Sequence, residues 1–130
     1  MVGVFAVILY PQIDTMTVVK QVAYSLVQLC RDWKFPEAQA TLFRDDAVNI
    51  EPDGRITKGL AAIMSKERIF LDNIQERHLL EISDPVVADD YFAVQLLMDV
   101  TITNIGRRTR NELCVYHVED GKIIREQFFY

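Results

Sequence analysis

Cysteine is nearly absent: only Cys30 and Cys114 occur, far apart in a chain of 130 residues. Two isolated thiols make neither a disulfide framework nor a CxxC metal site, so the fold must rest on a packed core, and reduced thiols in the cytoplasm are expected. Glycine and proline are scarce, at five and four residues, and half the chain is hydrophobic, which is the profile of a packed globular chain and not of a disordered one. Basic charge is in deficit. Fourteen Lys and Arg face 19 Asp and Glu, and the one basic cluster is Arg107, Arg108 and Arg110. That balance argues against nucleic acid as a partner. Histidine is limited to His78 and His117, with no carboxylate motif spaced around them, so neither a metal nor any other cofactor is expected.

Long apolar runs are missing too. The most apolar stretch, residues 1–10, is far shorter than the ~20 residues that span a bilayer, and no Lys or Arg precedes it as in a signal peptide. No membrane partner is expected. An extra edge strand, a mobile tail or an oligomer contact would each fit this stretch, as would an upstream extension ahead of a start at Met16. The expected organisation is an N-terminal extension, 1–15, and one domain, 16–130.

What is present is periodicity. Asp14 or Thr15 can cap a helix whose apolar positions Val19, Val22, Ala23, Leu26, Leu29, Cys30 and Trp33 recur at three- and four-residue steps. Pro36 suits the first turn of a second helix over 37–43. Residues 47–51 alternate as a strand and stop at the turn Pro52-Asp53-Gly54. Leu60, Ile63, Met64, Phe70, Leu71 and Ile74 mark a third helix after Gly59, with Lys66, Glu67, Arg68 and Asp72 turned outward. Strands over 78–82, 91–103, 107–118 and 122–130 follow, separated by turn sequences at Asp84-Pro85, Asn104-Ile105-Gly106 and Glu119-Asp120-Gly121. Helices first and an antiparallel meander afterwards mean an α+β fold.

Two stretches narrow the fold. Asp45-Asp46-Ala47-Val48-Asn49-Ile50-Glu51-Pro52-Asp53-Gly54, followed by Gly59 and Ala61-Ala62-Ile63, resembles the corresponding stretch of SnoaL-like proteins and ketosteroid isomerases. Residues 112–130 resemble the closing hairpin of the same nuclear-transport-factor-2-like superfamily. The resemblance covers residues 17–130. It implies a cone-shaped, curved antiparallel sheet packed with three N-terminal helices, cystatin-like in class, around a mostly apolar pocket. A carboxylate in such a pocket has its pKa raised toward neutrality and becomes a competent acid or base.

The resemblance also bears on particular residues. Glu51 stands where ketosteroid isomerases carry their general-base aspartate. Their oxyanion tyrosine corresponds to Val27, with Tyr24 one turn earlier, and their protonated aspartate to Cys114, so steroid isomerisation by that mechanism is disfavoured. Asp99 matches one catalytic aspartate of limonene epoxide hydrolases, while Leu97 and Phe128 replace the arginine and second aspartate of that set. Strand parity supplies the rest. A two-residue turn at Ile105-Gly106 sets Asp99 opposite Glu112, Thr101 opposite Arg110 and Leu97 opposite Cys114. Gln95, Asp99, Thr101, Glu112 and Tyr116 then share one face, and Phe92, Val94, Leu96, Met98 and Val100 the other. A bulge shifting the register by one would put Asp99 outside.

Together these readings make Glu51, Asp99 and Glu112 the candidate catalytic residues. Tyr24, Val27, Asn49, His78, Leu97, Cys114, Tyr116, Glu126, Phe128 and Tyr130 are the candidate contacts to a small apolar or cyclic ligand. The expected function is a cofactor-independent isomerase, cyclase or hydrolase; the alternative is a non-catalytic ligand-binding or dimeric interaction module. The apolar face from Phe92 to Val100 exceeds what a small helix layer needs, so a second subunit is expected to cover it in a homodimer through the sheet.

Overall fold

The computed structural model describes the backbone of residues 2–130 and the side chains of 17–130. Helix α1 (Val2–Arg31) buries Val19, Val22, Ala23, Leu26 and Cys30 of the stripe expected from the three- and four-residue spacing, adds Val27 to it, and leaves Leu29 and Trp33 partly buried. It does not begin at Asp14 or Thr15. A residue able to cap permits a helix start without forcing one, because inside a helix Asp or Thr costs only about 0.7 kcal/mol. The backbone of residues 2–10 is the first part of α1 and not an edge strand, and their side chains lie outside the described residues.

The helix ends abruptly. Trp33 adopts a left-handed φ of 61°, and the Lys34 and Trp33 amides donate to the Leu29 and Cys30 carbonyls at 2.9 and 3.0 Å. This is a Schellman closure with tryptophan where glycine is usual. It lets α2 (Phe35–Leu42) start at once, with Pro36 in its first turn.

Strand β1 (Phe43–Ile50) turns through residues 51–55 into β2 (Ile56–Lys58). Gly59, at φ 93°, donates its N–H to the Ala47 carbonyl at 2.8 Å and so ties α3 (Leu60–Asp72) to β1. The chain then runs through β3 (Ile74–Ile82), β4 (Val86–Ala88), β5 (Tyr91–Ile102), β6 (Gly106–Glu119) and β7 (Lys122–Phe129). Strands β2 and β4, three residues each, are too short to carry an alternation and were not expected from the sequence.

The sheet order is β2-β1-β7-β6-β5-β3, with β4 beside β5. Every pairing is antiparallel except β1 with β7, which is parallel, so the meander is closed into a mixed sheet by its last strand joining its first. Register shifts in β1, in β3 and between His117 and Val118 bend the strands. The sheet curls without closing, and the three helices cover its concave side.

The β5–β6 hairpin differs from expectation in register. Ile102 pairs with Gly106, so the loop is Thr103-Asn104-Ile105, three residues long, with Asn104 at φ 62° and Gly106 at φ 99°. Asp99 therefore faces Thr109, Leu97 faces Asn111, Val94 faces Cys114 and Phe92 faces Tyr116. The shift from the expected pairing is an odd number of residues, which turns every side chain of one strand to the other face relative to its partner. Glu112 and Tyr116 thus join the apolar face instead of opposing it.

Candidate active site

Between the concave face of the sheet and the helices lies a chamber of about 250 Å³. Its walls are Leu26 and Cys30 of α1, Phe35, Ala38 and Gln39 of α2, Ile63 and Phe70 of α3, and Val94, Leu96, Met98 and Val100 of β5. The apolar face assigned above to a second subunit is thus covered by the chain's own helices; Phe92 to Val100 of that face are all under 10% exposed. Its apolarity serves the chamber.

Polar groups enter from one side. Glu126 of β7 is 6% exposed, one of few buried charged groups. Its Oε1 accepts from Asn49 Nδ2 at 2.8 Å, and the Tyr116 hydroxyl, directly across on β6, donates to the same carboxylate. Asn49 is held in turn, because its Oδ1 accepts a short hydrogen bond from Lys66 Nζ. Lys66 also donates to Glu51 Oε1 at 2.8 Å and to Thr57 Oγ1 at 3.2 Å. An ammonium has three N–H bonds, and all three are engaged. Lys66 is therefore a positioning group: it fixes the Asn49 amide so that nitrogen, not oxygen, faces Glu126.

Burial pushes the Glu126 carboxyl up to about 7, against the hydrogen bonds from Asn49 and Tyr116, and the charges of Glu67 and Glu112 add to the rise. Glu67 of α3 is likewise pushed up to about 7 by burial, with Glu112 adding to the shift and Lys66 opposing it. Glu112 is raised by burial, with Arg110 opposing, and accepts a hydrogen bond from Cys114 Sγ at 3.5 Å. Burial raises both cysteine thiols and the Tyr116 phenol, so none of the three is an anion near neutral pH. The chamber accordingly holds four carboxyls, Glu51, Glu67, Glu112 and Glu126, and burial brings Glu67 and Glu126 to about 7.

Of the residues singled out from the sequence, Glu51, Asn49, Glu112, Cys114, Tyr116, Glu126 and Phe128 line the chamber. The others lie elsewhere. Asp99 sits on the outer face, clasped by Arg107 at 3.0 and 2.8 Å and held below the usual carboxylate range by that guanidinium. Leu97 shares that face, for the same reason of parity. Tyr24 is 54% exposed because it follows inward-facing Ala23 by one residue, about 100° around α1. Val27 is buried in the packing of α1 without reaching the chamber. His78 is bonded through Nε2 to Thr101 Oγ1 at 2.7 Å, away from the cavity. Tyr130 lies under the Arg110 guanidinium, 4.3 Å from its ring centroid, and is more than half exposed.

Lys66 and Glu67, expected to face outward, line the chamber. Their spacing from Ile63 and Phe70, at steps of three and four, was the available signal. Gln39 shares a stripe with Phe35, Ala38 and Leu42 on α2 in the same way.

The SnoaL-like domain family matches residues 16–130. The chain belongs to the SnoaL-like family. A candidate SnoaL-like polyketide cyclase from Mesorhizobium loti has 29% identity, a TM-score of 0.78, and coverage of 85% of this chain and 97% of its own. An NTF2-like protein of unknown function from Burkholderia pseudomallei aligns at 18% identity and TM-score 0.70, over 87% and 90% of the two chains. A cystatin-fold protein from Novosphingobium aromaticivorans aligns at 16% identity and TM-score 0.72, over 86% and 97%. No match is found among curated proteins. Family and fold point to a ligand-binding or cyclase-type protein. No helix among the described residues is long and apolar enough to cross a membrane, and no group of side chains among them is arranged to hold a metal ion.

Proposed function

We propose that this SnoaL-like chain is a cytoplasmic, cofactor-independent isomerase or cyclase that moves a proton on a small apolar cyclic substrate. The observation that carries the reading is Glu126: a carboxyl buried in an apolar chamber, fixed by Asn49 and Tyr116, and poised at about 7. As a carboxylate it takes a proton from a carbon beside a carbonyl. Glu67, also poised at about 7, donates from its protonated form to the carbonyl oxygen, where the negative charge develops. Lys66, with every N–H engaged, is not that donor. Hydrolysis of the epoxide type is disfavoured, since Asp99 is outside and, among the described residues, no aspartate lines the chamber.

Such a pair works best where Glu126 is ionised and Glu67 is not, so the rate is expected to peak near pH 7 and fall on either side. The probe is 2-tetralone, an apolar bicyclic ketone, with exchange of its α-protons for deuterium followed by NMR. Exchange above the buffer rate with that profile supports the reading. Saturable binding with no acceleration would leave a ligand-binding module without catalysis.

We further propose a homodimer through the outer face of the sheet, which exposes Leu79, Leu113 and Phe129 at 40%, 45% and 47%. Leu113 and Phe129 are direct neighbours across β6 and β7. Sedimentation at micromolar concentration is expected to give twice the chain mass, and a monomer there refutes the pairing.

A further inference from the structure

The basic cluster of the sequence is divided by strand parity. Arg107 turns to the outer face of β6, where it clasps Asp99. Arg108 and Arg110 fall on the opposite face with Glu112, Cys114 and Tyr116, and all of these line the chamber. The two arginines are exposed whereas Cys114 and Tyr116 are buried, so the arginines stand at the mouth and the strand leads inward from them. One N–H of Arg108 donates to the Arg107 carbonyl at 2.8 Å, and among the described residues its guanidinium has no ion-pair partner. Arg110 rests on the Tyr130 ring, with its guanidinium carbon 4.3 Å from the centroid. It comes no nearer than 4.0 Å to Glu112 Oε2, which is an ion pair but too long for a hydrogen bond.

Two guanidiniums with N–H groups to spare, at the mouth of a chamber in a chain of net charge -5, reverse the prevailing sign of charge where a ligand must pass. A purely apolar ligand has no group to meet them. We propose that Arg108 and Arg110 bind the carboxylate of a substrate whose apolar ring fills the chamber, which narrows the ligand class to cyclic carboxylic acids. The inference rests on the chamber being a site for apolar cyclic molecules. A guanidinium presents parallel N–H groups that match the two oxygens of a carboxylate. A monovalent anion suits the pair better than a phosphate monoester, because Glu112 already offsets part of the charge of Arg110. The carboxylate stays at the rim, in touch with water, since carrying it inward among Val94, Leu96 and the acidic side chains would strip its hydration and set like charges together. The ring therefore enters first, and the two arginines set how deep it sits beside Glu126 and Glu67.

The test titrates 2-naphthoate and its neutral, near-isosteric amide, 2-naphthamide, into the wild type, Arg108→Gln, Arg110→Gln and Arg107→Gln, with binding followed by the NMR shifts of the Val94 and Leu96 methyls. The wild type is expected to prefer the naphthoate, and the preference is expected to fall about fivefold in Arg108→Gln and in Arg110→Gln. Arg107→Gln removes the same charge from the outer face and is expected to keep the preference. An equal fall in all three variants would mean diffuse attraction and overturn the site, as would a wild type that binds both probes alike. All three side chains are exposed, so none of the changes opens the core; loss of folding in both Arg108→Gln and Arg110→Gln would give the pair a structural role and refute the proposal. Failure of both probes to bind the wild type also overturns it, and exchange of 2-tetralone, which carries no anion, then tells whether the chamber reading falls with it.

Discussion

Replacing Glu126 with glutamine is expected to slow the exchange of 2-tetralone α-protons by about 10² or more, the usual contribution of a positioned general base. The same change is expected to make the protein more stable at alkaline pH, which separates loss of function from loss of structure. The sign follows from where the proton is held. The carboxyl lies at about 7 in the folded protein against an ordinary value of 4.5, so the folded state holds its proton more tightly than the unfolded chain. Below pH 4.5 both states are protonated and the group adds no penalty. As pH rises through 7 the folded state must ionise a buried group, and stability falls by on the order of 3 kcal/mol. Glutamine carries no proton to lose. Urea titrations of the variant should therefore match the wild type near pH 4 and exceed it at pH 8, with a residual slope from Glu67 and Glu112. A variant less stable at pH 8 would mean that Glu126 is held as a stabilised anion, contrary to the site described.

The second large effect is at Phe92. Its side chain is 1% exposed and stacks on Tyr116, with ring centroids 4.7 Å apart and planes 17° from parallel. Phe92→Ala removes a whole ring from the core behind chamber-lining Tyr116 and is expected to cost about 3–5 kcal/mol by urea denaturation. It also frees Tyr116 from its stacking partner. With the hydroxyl no longer held against Glu126, the hydrogen bond that lowers the carboxyl is weakened, and the Glu126 midpoint, read by carbon NMR of its carboxyl, is expected to rise. Phe92→Leu keeps most of the volume and should cost under about 1.5 kcal/mol. Equal costs for the two variants would show that the ring itself does not support the site.

Much of the architecture was legible because its signals are local. The stripe of α1 repeats at a helical step, and Asp120-Gly121 permits one tight turn, in which both residues have positive φ and Glu119 meets Lys122 as that turn requires. The Asn104-Ile105-Gly106 turn is different: both Asn104 and Gly106 tolerate a left-handed backbone, so loops of two and three residues are each compatible with the sequence. The outcome decides parity along the whole hairpin, which is why Asp99 and Leu97 lie outside while Glu112 and Tyr116 face in. Lys66 and Glu67 were hard to see for another reason. Charged side chains on an apolar stripe read as surface residues wherever only core and solvent are considered, and a chamber is neither. The parallel union of β1 with β7 joins segments far apart in the chain, and no local pattern announces it.

The position of β7 governs the order in which this protein can mature. The strand is synthesised after every other, yet it seats between β1 and β6, and its acid meets Asn49 across 77 positions of sequence. Until β7 has been made, the edges of β1 and β6 that it joins are bare and the chamber lacks Glu126 and Phe128. Contacts of such separation form slowly, so the facing edges of β1 and β6 stay open to pairing with other chains until β7 is seated.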